Sequence, residues 1–540
     1  MTLPRSAADV LSDHVVLEVE SIDRMYLNVY QPGLQHGGGV AVFFTGHRGN
    51  KFPSTALMDP MTKRFVADIH HFIQAHGLDL VHFGKERKDD VTRRYLDGFP
   101  AGEGVLYAGR AQEKAVVWST RKRRRPNGST YAWLVKTTAM VNHFYFYCVD
   151  ADFGPFFLKF CSYFPFTARL CINGHHWAQR QAAKAGVGFT SLDNGFAACD
   201  DPARLQAICA TLSPGHIEAL LGKWLRILPH PFTEEDTAAG YAFEASILQA
   251  EFSLTQVLDK PVSGRIFFDQ VIADNLGIGR PDQVSLIFDR KIIRKGPHAT
   301  PGKFRTRIIT DGVTPSLHVS YKNNRIKQYH KLGRALRTET TINNPRDFGI
   351  GKRLHNLPAL ADIGFHANRR LLHAQLLSHD PVSGASALAS VTSPVITTAG
   401  TRVPGLRFGD PRAHALLAAL CAFKLLPNGF ANRDLRPLIA ELLGKPPEAI
   451  TSGQMSYDLR RLRIHGLIER IPRTHRYQIT STGLTRAMFL TRLHDRALRT
   501  GLAELADPGP APPSRLRTAD RAYQTAINDL THSAGITTAA

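Results

Sequence analysis

The chain has 540 residues, 43% of them hydrophobic, which is more than one hydrophobic core usually organises. Its 67 Lys and Arg exceed its 46 Asp and Glu, so the formal net charge is +21 and a polyanionic partner is favoured. The sequence lacks an apolar run of membrane-spanning length and a secretory start, and its six cysteines include no CxxC pair. These features exclude an integral membrane protein and a disulfide scaffold. We expect a cytoplasmic, nucleoid-associated protein of several domains with no membrane partner.

The first part of the chain alternates strand-like and helix-like patterns. We predict an N-terminal segment at 1–20 and an α/β domain at 21–140, with Val40 to Phe44 as one of its strands. A run of five basic residues, RKRRR, then stands before the turn sequence PNGS, which predicts a basic hairpin tip. Such a tip is either a solvated loop or a finger that grips phosphates, and in the second case Arg123 and Arg124 bind nucleic acid.

A basic, aromatic-rich α+β core is predicted at 141–380. Its first stretch, VNHFYFYCVDADFGPFFLKFCSYFPF, reads as two strands around an acidic turn, and its aromatic residues suit a core better than base stacking. The turn contains Asp150 and Asp152, and a helix begins near His175 and His176. Carboxylates and imidazoles can hold a divalent cation that activates water, so these four residues are candidates for a hydrolytic metal site. The alternative is that these residues have structural roles in turns and helix caps.

Basic and aromatic residues interleave further along this core. Lys322, Arg325 and Lys327 are candidates for holding a nucleic-acid backbone. In an enzymatic alternative, Tyr329 attacks phosphorus and Glu339 holds a metal ion, an arrangement loosely similar to strand-nicking replication initiators. Those enzymes carry a His-hydrophobic-His metal pair, which this sequence lacks. The competing interpretation is that Glu339 forms a structural ion pair with Arg337, because both lie on one face of a strand. Residues 141–177 and 316–354 are also similar to uncharacterised bacterial proteins, from which no activity follows.

The C-terminal part carries the most specific pattern. Residues 381–411 have linker composition, and 501–540 have the composition of a largely disordered tail. Between them, two helical patterns precede TSGQMSYDLRRLRIHGLIERIPRTHRYQIT, which reads as an N-capped helix, a strand, a tight turn and a second strand. Residues 412–500 therefore resemble a winged helix-turn-helix. The resemblance implies that outward residues of the third helix and of the wing contact duplex DNA, namely Tyr457, Arg460, Arg461, Arg473 and Arg476.

Together these patterns predict a mixed α+β or α/β multidomain protein, with mixed-sheet N-terminal and central regions and a C-terminal winged helix. The predicted function is DNA binding of a mobile-element or replication-initiation type. Two alternatives stay open: a metal-dependent nuclease or nicking enzyme, which alone would need a divalent metal, and a transcription regulator that senses a ligand. The cofactor is otherwise unknown, and the sequence leaves RNA binding and homodimer formation undecided.

Overall fold

The computed structural model describes residues 5–84, 86–99, 102–259, 261–275, 278, 280–293, 297–311, 314–377, 380–422, 429–495 and 525. The chain divides into two compact units, Met1–Val382 and Ser383–Ala540. The fold is mixed α and β, as the sequence predicts, and the first unit is built on one large mixed sheet.

The strands of the first unit are β1 Arg5–Ser6, β2 Val15–Tyr30, β3 Leu80–His82, β4 Gly104–Arg124, β5 Thr130–Asp150, β6 Gly154–Cys161, β7 Ala168–Asn173, β8 Phe189–Ser191, β9 Phe196–Cys199, β10 Glu244–Leu258, β11 Phe304–Asp311, β12 Thr314–Tyr321, β13 Asn324–Lys331, β14 Ala335–Ile342 and β15 Leu376–Leu377. Its helices are α1 Ala7–Ser12, α2 Gly37–Val42, α3 Thr55–Ala75, α4 Lys88–Asp97, α5 Gly174–Lys184, α6 Pro202–Ala210, α7 Pro214–Ile227, α8 Glu234–Ala238, α9 Pro261–Asp274, α10 Pro281–Phe288 and α11 Leu357–Ala374.

Eleven strands form the large sheet in the order β11-β12-β13-β14-β10-β2-β7-β6-β5-β4-β3. All neighbouring pairs are antiparallel except β3 and β4, which are parallel. Side chains alternate between the two faces of a strand, so residues that pair directly across the sheet share a face. The predicted hairpin around the acidic turn is confirmed, because β5 and β6 pair from His143 opposite Cys161 to Asp150 opposite Gly154.

Helices pack on the large sheet, among them α5 and α6 on β2. In α11, Leu357, Leu360 and Leu371 are buried at helical spacing, and the helix packs on β10 and β14. Gly364 allows the close approach, because a β-carbon there would lie 2.3 Å from the Phe252 ring. The aromatic residues of β5 and β6 are largely core, as predicted; for example, Phe146 has no exposed surface.

Several predicted boundaries differ from the structure. The boundary between residues 140 and 141 falls inside β5, because one sheet runs through both predicted domains. Residues 5–20 are not a separate segment, since β2 already begins at Val15 and pairs with β10. The stretch Val40 to Phe44 is helical instead of a strand. A short apolar run has no periodicity that distinguishes a helix from a strand. Here the glycines before the run begin a helix.

The second unit contains mainly helices. They are α12 Pro381–Thr392, which starts at the unit boundary, α13 Pro411–Ala422, α14 Asn432–Leu442, α15 Ser452–Ile464 and α16 Ser481–Leu493. Its strands are β16 Val395–Ile396, β17 Arg402–Val403, β18 Ile468–Arg470 and β19 Tyr477–Ile479. The predicted linker at 381–411 thus contains a helix and a small hairpin. The predicted disordered tail at 501–540 lies outside the described residues, apart from Thr525.

Helix α15 has the boundaries that its sequence predicts. The Thr451 side chain accepts a hydrogen bond from the Gln454 N–H and caps the helix, and Gly466 follows the last turn with a φ of 67°. Met455, Leu459 and Leu462 are buried as expected. No helix among the described residues is long and apolar enough to cross a membrane.

Candidate nucleic-acid interface

The outward face of α15 carries cations and no exposed carboxylate. Tyr457, Arg460 and Arg463 are all exposed on this helix. Asp458, the only acid of α15, is 2% exposed and accepts two hydrogen bonds from the Arg412 guanidinium, at 2.9 and 2.6 Å. Burial raises the pKa of Asp458, and the guanidinium of Arg412 opposes that effect. The helix therefore presents a cationic face, because its single negative charge is turned inward.

Two of the five candidate residues in this part of the chain, Arg461 and Arg476, donate hydrogen bonds to backbone carbonyls. Arg461 donates a hydrogen bond of 2.6 Å to the Gly405 carbonyl and lies 3.8 Å from Asp458. Arg476 donates one of 2.7 Å to the Gly429 carbonyl. The expectation that Arg461 projects outward is therefore corrected. Arg463 is exposed and contributes to the outward face of α15 where Arg461 does not.

Arg473 lies at the tip of the hairpin formed by β18 and β19. It is exposed and has a φ of 60°, a left-handed conformation that tight turns use. Phe430 forms an isolated antiparallel bridge to Tyr477 and so extends the hairpin on one side. Arg473 therefore lies at the tip of a two-stranded hairpin that a single β-bridge extends on one side.

The first unit carries a second set of cations on β11 and β13, which flank β12 at the edge of the large sheet. Arg325 and Lys327 of β13 lie on the same face as Arg305 and Arg307 of β11, through the direct pairings across β12. We call these four residues the basic strip. Lys322 does not belong to it, because it lies in the turn between β12 and β13, 3.5 Å from Asp347. The sequence thus located two members of the strip, and the strand register supplies the other two.

The candidate catalytic residues Tyr329 and Glu339 do meet, around a buried arginine. Arg337 is fully buried and places its guanidinium 2.6 Å from Asp23, 2.8 Å from Glu339 and 2.7 Å from His175 Nε2. The Tyr329 hydroxyl donates to Glu339 at 2.8 Å. The ion pair between Arg337 and Glu339 that the sequence predicts is present. Asp23 is the member that sequence reasoning missed, because nothing local connects it to β14.

The electrostatics of this cluster follow from its burial. Burial raises the pKa of Tyr329, and the neighbouring Glu339 carboxylate raises it further, so the phenol stays protonated. Burial and the charge of Arg337 lower the pKa of His175 to about 3. Burial alone would raise the pKa of Asp23, but Arg337 and His175 lower it to about 2. The cluster therefore contains a neutral imidazole and a protonated phenol next to a guanidinium that is paired with the carboxylates of Asp23 and Glu339.

The other candidate site residues are dispersed. Asp150 is 2% exposed and accepts hydrogen bonds from Trp224 Nε1 at 2.9 Å and from Lys223 at 2.8 Å. Asp152 is an exposed partner of Lys184. His176, next to His175 on α5, lines a small cavity instead of joining the cluster. The structure does not bring the two aspartates and two histidines together as one ligand set, because Asp150, Asp152 and His175 each have separate partners.

Among the described residues, one group of three side chains has the spacing that a metal ion requires: His414, His494 and Asp495. The Asp495 carboxylate lies 3.2 Å from His414 Nε2 and 3.3 Å from His494 Nδ1. Imidazole and carboxylate ligands suit several divalent ions. This group lies in the second unit and contains none of the residues that the sequence offered as ligands.

The basic hairpin tip that the sequence predicts is present in the structure. Arg123 pairs with Tyr131 and Arg124 with Thr130, at the far end of the long ribbon that β4 and β5 form. Residues 121–130 are all exposed. Both candidate arginines are therefore available to a partner.

Comparison with protein-family models, with curated proteins and with solved structures found no match to this chain.

Proposed function

We propose that the chain is a DNA-binding protein. In this proposal residues 411–493 form a winged helix-turn-helix that reads duplex DNA, and the basic strip of the first unit holds the nucleic-acid backbone. The observation that carries the proposal is the exposed face of α15, where Tyr457, Arg460 and Arg463 stand while the only acid of the helix, Asp458, is buried. Arginine guanidinium groups on such a helix face can donate to guanine in the major groove and to phosphates.

The order of elements supports this assignment. Helices α13, α14 and α15 are followed by the β18–β19 hairpin. Phe430, which lies between α13 and α14 in the sequence, forms a β-bridge with Tyr477 of β19. A winged helix-turn-helix has the same order, with the third helix as the recognition element and the hairpin as the wing. Arg473 stands where a wing contacts the DNA backbone.

The basic strip supports a second contact to nucleic acid. Its four cations lie on one sheet face near an edge, and Lys327 stands 4.1 Å above the Tyr329 ring, which holds the ammonium group in place. Cations that share one face of a sheet can follow a phosphate backbone without reading its sequence. We assign this strip to non-specific affinity and α15 to sequence preference.

Equilibrium binding of the full chain to labelled duplex DNA over a range of salt concentrations tests the proposal. Replacing Arg460 and Arg463 together by alanine should weaken binding. It should also narrow the difference in binding free energy between DNA sequences, by about 1–3 kcal/mol for each arginine that reads a base. Arg473→Ala should weaken binding to all sequences alike and lower the salt slope by about one. Arg402→Ala is the matched control, since Arg402 is exposed in the same unit but lies outside both elements. Unchanged DNA affinity in the variant lacking Arg460 and Arg463 would refute the assignment.

The geometry gives less support to a nicking enzyme. Tyr329, Glu339 and His175 do gather around Arg337, but the Glu339 carboxylate is already bonded to the phenol and the guanidinium, and burial raises the pKa of the phenol. A nucleophilic tyrosine needs the opposite shift. Incubation with supercoiled DNA and Mg²⁺ or Mn²⁺ tests this alternative, and cleavage that Tyr329→Phe abolishes would establish it.

A further inference from the structure

The hairpin of β4 and β5 continues well beyond the sheet that it belongs to. β3 pairs with β4 only as far as Arg110, and β6 pairs with β5 only from His143 onward. Between those points the two strands pair only with each other, from Lys114 opposite Met140 to Arg124 opposite Thr130. We call residues 114–140 the arm.

The base of the arm is fixed and its tip is free. Trp118 is 8% exposed, and its indole N–H donates to the Leu34 carbonyl at 3.1 Å. The Thr120 hydroxyl accepts a hydrogen bond of 2.9 Å from the Thr55 N–H. Beyond Thr120 every residue up to 130 is exposed. A ribbon anchored in this way holds its tip in one direction and loses little entropy when a ligand binds.

The charge of the arm has one sign. Residues 114–149 contain seven Lys and Arg and no Asp or Glu. Within the part of the chain that the structure describes, no ion pair joins the tip cations 121–125 to a carboxylate. Arg121 and Arg123 share one face with Trp133, and the Arg123 guanidinium stacks 4.7 Å from the Trp133 ring. Five adjacent cations without counter-charges repel one another, so this sequence suits a polyanion that neutralises them.

We propose that the arm is a β-ribbon that enters the major groove of duplex DNA, as a second DNA contact besides the one made by α15. The proposal rests on the proposed DNA-binding function and adds to it a site in the first unit. In the bound state Arg121 and Arg123 face the bases, whereas Lys122 and Arg124, on the opposite face, reach the phosphates that border the groove.

The dimensions of the tip fit this groove. Four residue pairs, from Arg121 opposite Trp133 to Arg124 opposite Thr130, lie beyond the anchored base. At about 3.4 Å per residue they extend for roughly 14 Å. The major groove of B-form DNA is about 8.5 Å deep and wide enough for a two-stranded ribbon. The narrow major groove of A-form RNA does not admit such an element, so the arm should distinguish the two duplexes.

Tryptophan fluorescence gives a readout specific to the arm. Trp133 is 43% exposed, whereas the other three tryptophans are each at most 8% exposed. Titrating the full chain with a 30-base-pair DNA duplex should therefore shift or quench the emission of Trp133. Trp133→Phe should abolish the change, which assigns the signal to the arm.

A charge-removal variant tests the energetic role of the tip. Serine replaces residues 121–125 in the arm variant. In the control variant serine replaces five exposed cations elsewhere in the first unit: Lys51, Arg93, Arg204, Arg226 and Arg346. Both variants lose the same net charge. Each phosphate contact contributes about 0.9 to the salt slope, so the loss of the two contacts made by Lys122 and Arg124 should lower the slope by about 1.8, and the arm variant should bind at least tenfold more weakly than the control.

The outcomes separate this inference from the function on which it rests. If the chain binds duplex DNA while Trp133 emission stays constant and the two variants have equal salt slopes, the arm proposal fails and the DNA-binding function stands. If the chain binds no duplex DNA, both fail. If duplex RNA or heparin binds as tightly and changes Trp133 emission equally, the arm is a general polyanion contact, and insertion into the groove is refuted.

Discussion

Replacing Arg337 by methionine should destabilise the first unit strongly. Methionine has a similar length and suits a buried position, so the main change is loss of the guanidinium. Asp23 would then keep a buried carboxylate whose closest cation, at 2.6 Å, is gone. Removing one partner of a buried ion pair costs about 3–5 kcal/mol, because the remaining charge is neither solvated nor paired. We expect a loss of that size in the free energy of unfolding.

Arg369 provides the matched control. Its ion pair with Glu20 is 2.7 Å long, much like the pair between Arg337 and Asp23, but the Arg369 side chain is 54% exposed, whereas that of Arg337 has no exposure. An exposed pair contributes about 0–1 kcal/mol, so Arg369→Ala should change stability little. The comparison sets a buried ion pair against an exposed one of nearly the same length.

Urea unfolding followed by tryptophan fluorescence measures the effect in the relevant unit. All four tryptophans lie between residues 118 and 224, so the signal reports the first unit alone. The double variant Arg337→Met with Asp23→Asn should recover about 1–2 kcal/mol relative to the single variant, because the unpaired charge is removed as well. A loss for Arg337→Met within about 1 kcal/mol of the loss for Arg369→Ala would refute the reasoning about the cluster.

Two further predictions concern the same unit. Because burial and Arg337 lower the pKa of His175 to about 3, the unfolded chain binds a proton between pH 6.5 and 3 that the folded chain does not, and stability should fall as the pH falls through this range. His175→Gln should reduce this slope by up to about 1.4 kcal/mol per pH unit in urea titrations between pH 6 and 4, and an unchanged slope would contradict a neutral buried imidazole. Gly364→Ala should cost about 1–3 kcal/mol because its β-carbon would meet the Phe252 ring at 2.3 Å. Gly222→Ala, in α7 with nothing within 4 Å, should be neutral or stabilising, and equal effects of the two substitutions would argue against the close packing of α11.

Local chemistry in the sequence was sufficient for several elements of the fold and site. Thr451 and Gly466 bounded α15, since a cap and a left-handed glycine act on adjacent backbone groups. The alternation of β14 placed Arg337 and Glu339 on one face, and the pair is present. The run of cations before a turn sequence predicted an exposed tip at the arm. Each of these depends on residues a few positions apart, whose spacing a helix or strand fixes.

Tertiary structure decided the partners that are distant in the chain. Asp23 meets Arg337 across 314 residues, and Arg461 turns from the helix surface to the carbonyls of Pro404 and Gly405. The other half of the basic strip comes from β11, whose register with β13 is set through β12. A sequence gives the period of each element, but not which elements become neighbours or in what register. Burial, ion pairing and the pKa of each site residue depend on those neighbours, so only the folded chain determined which of the charged residues are structural and which stay exposed to a partner.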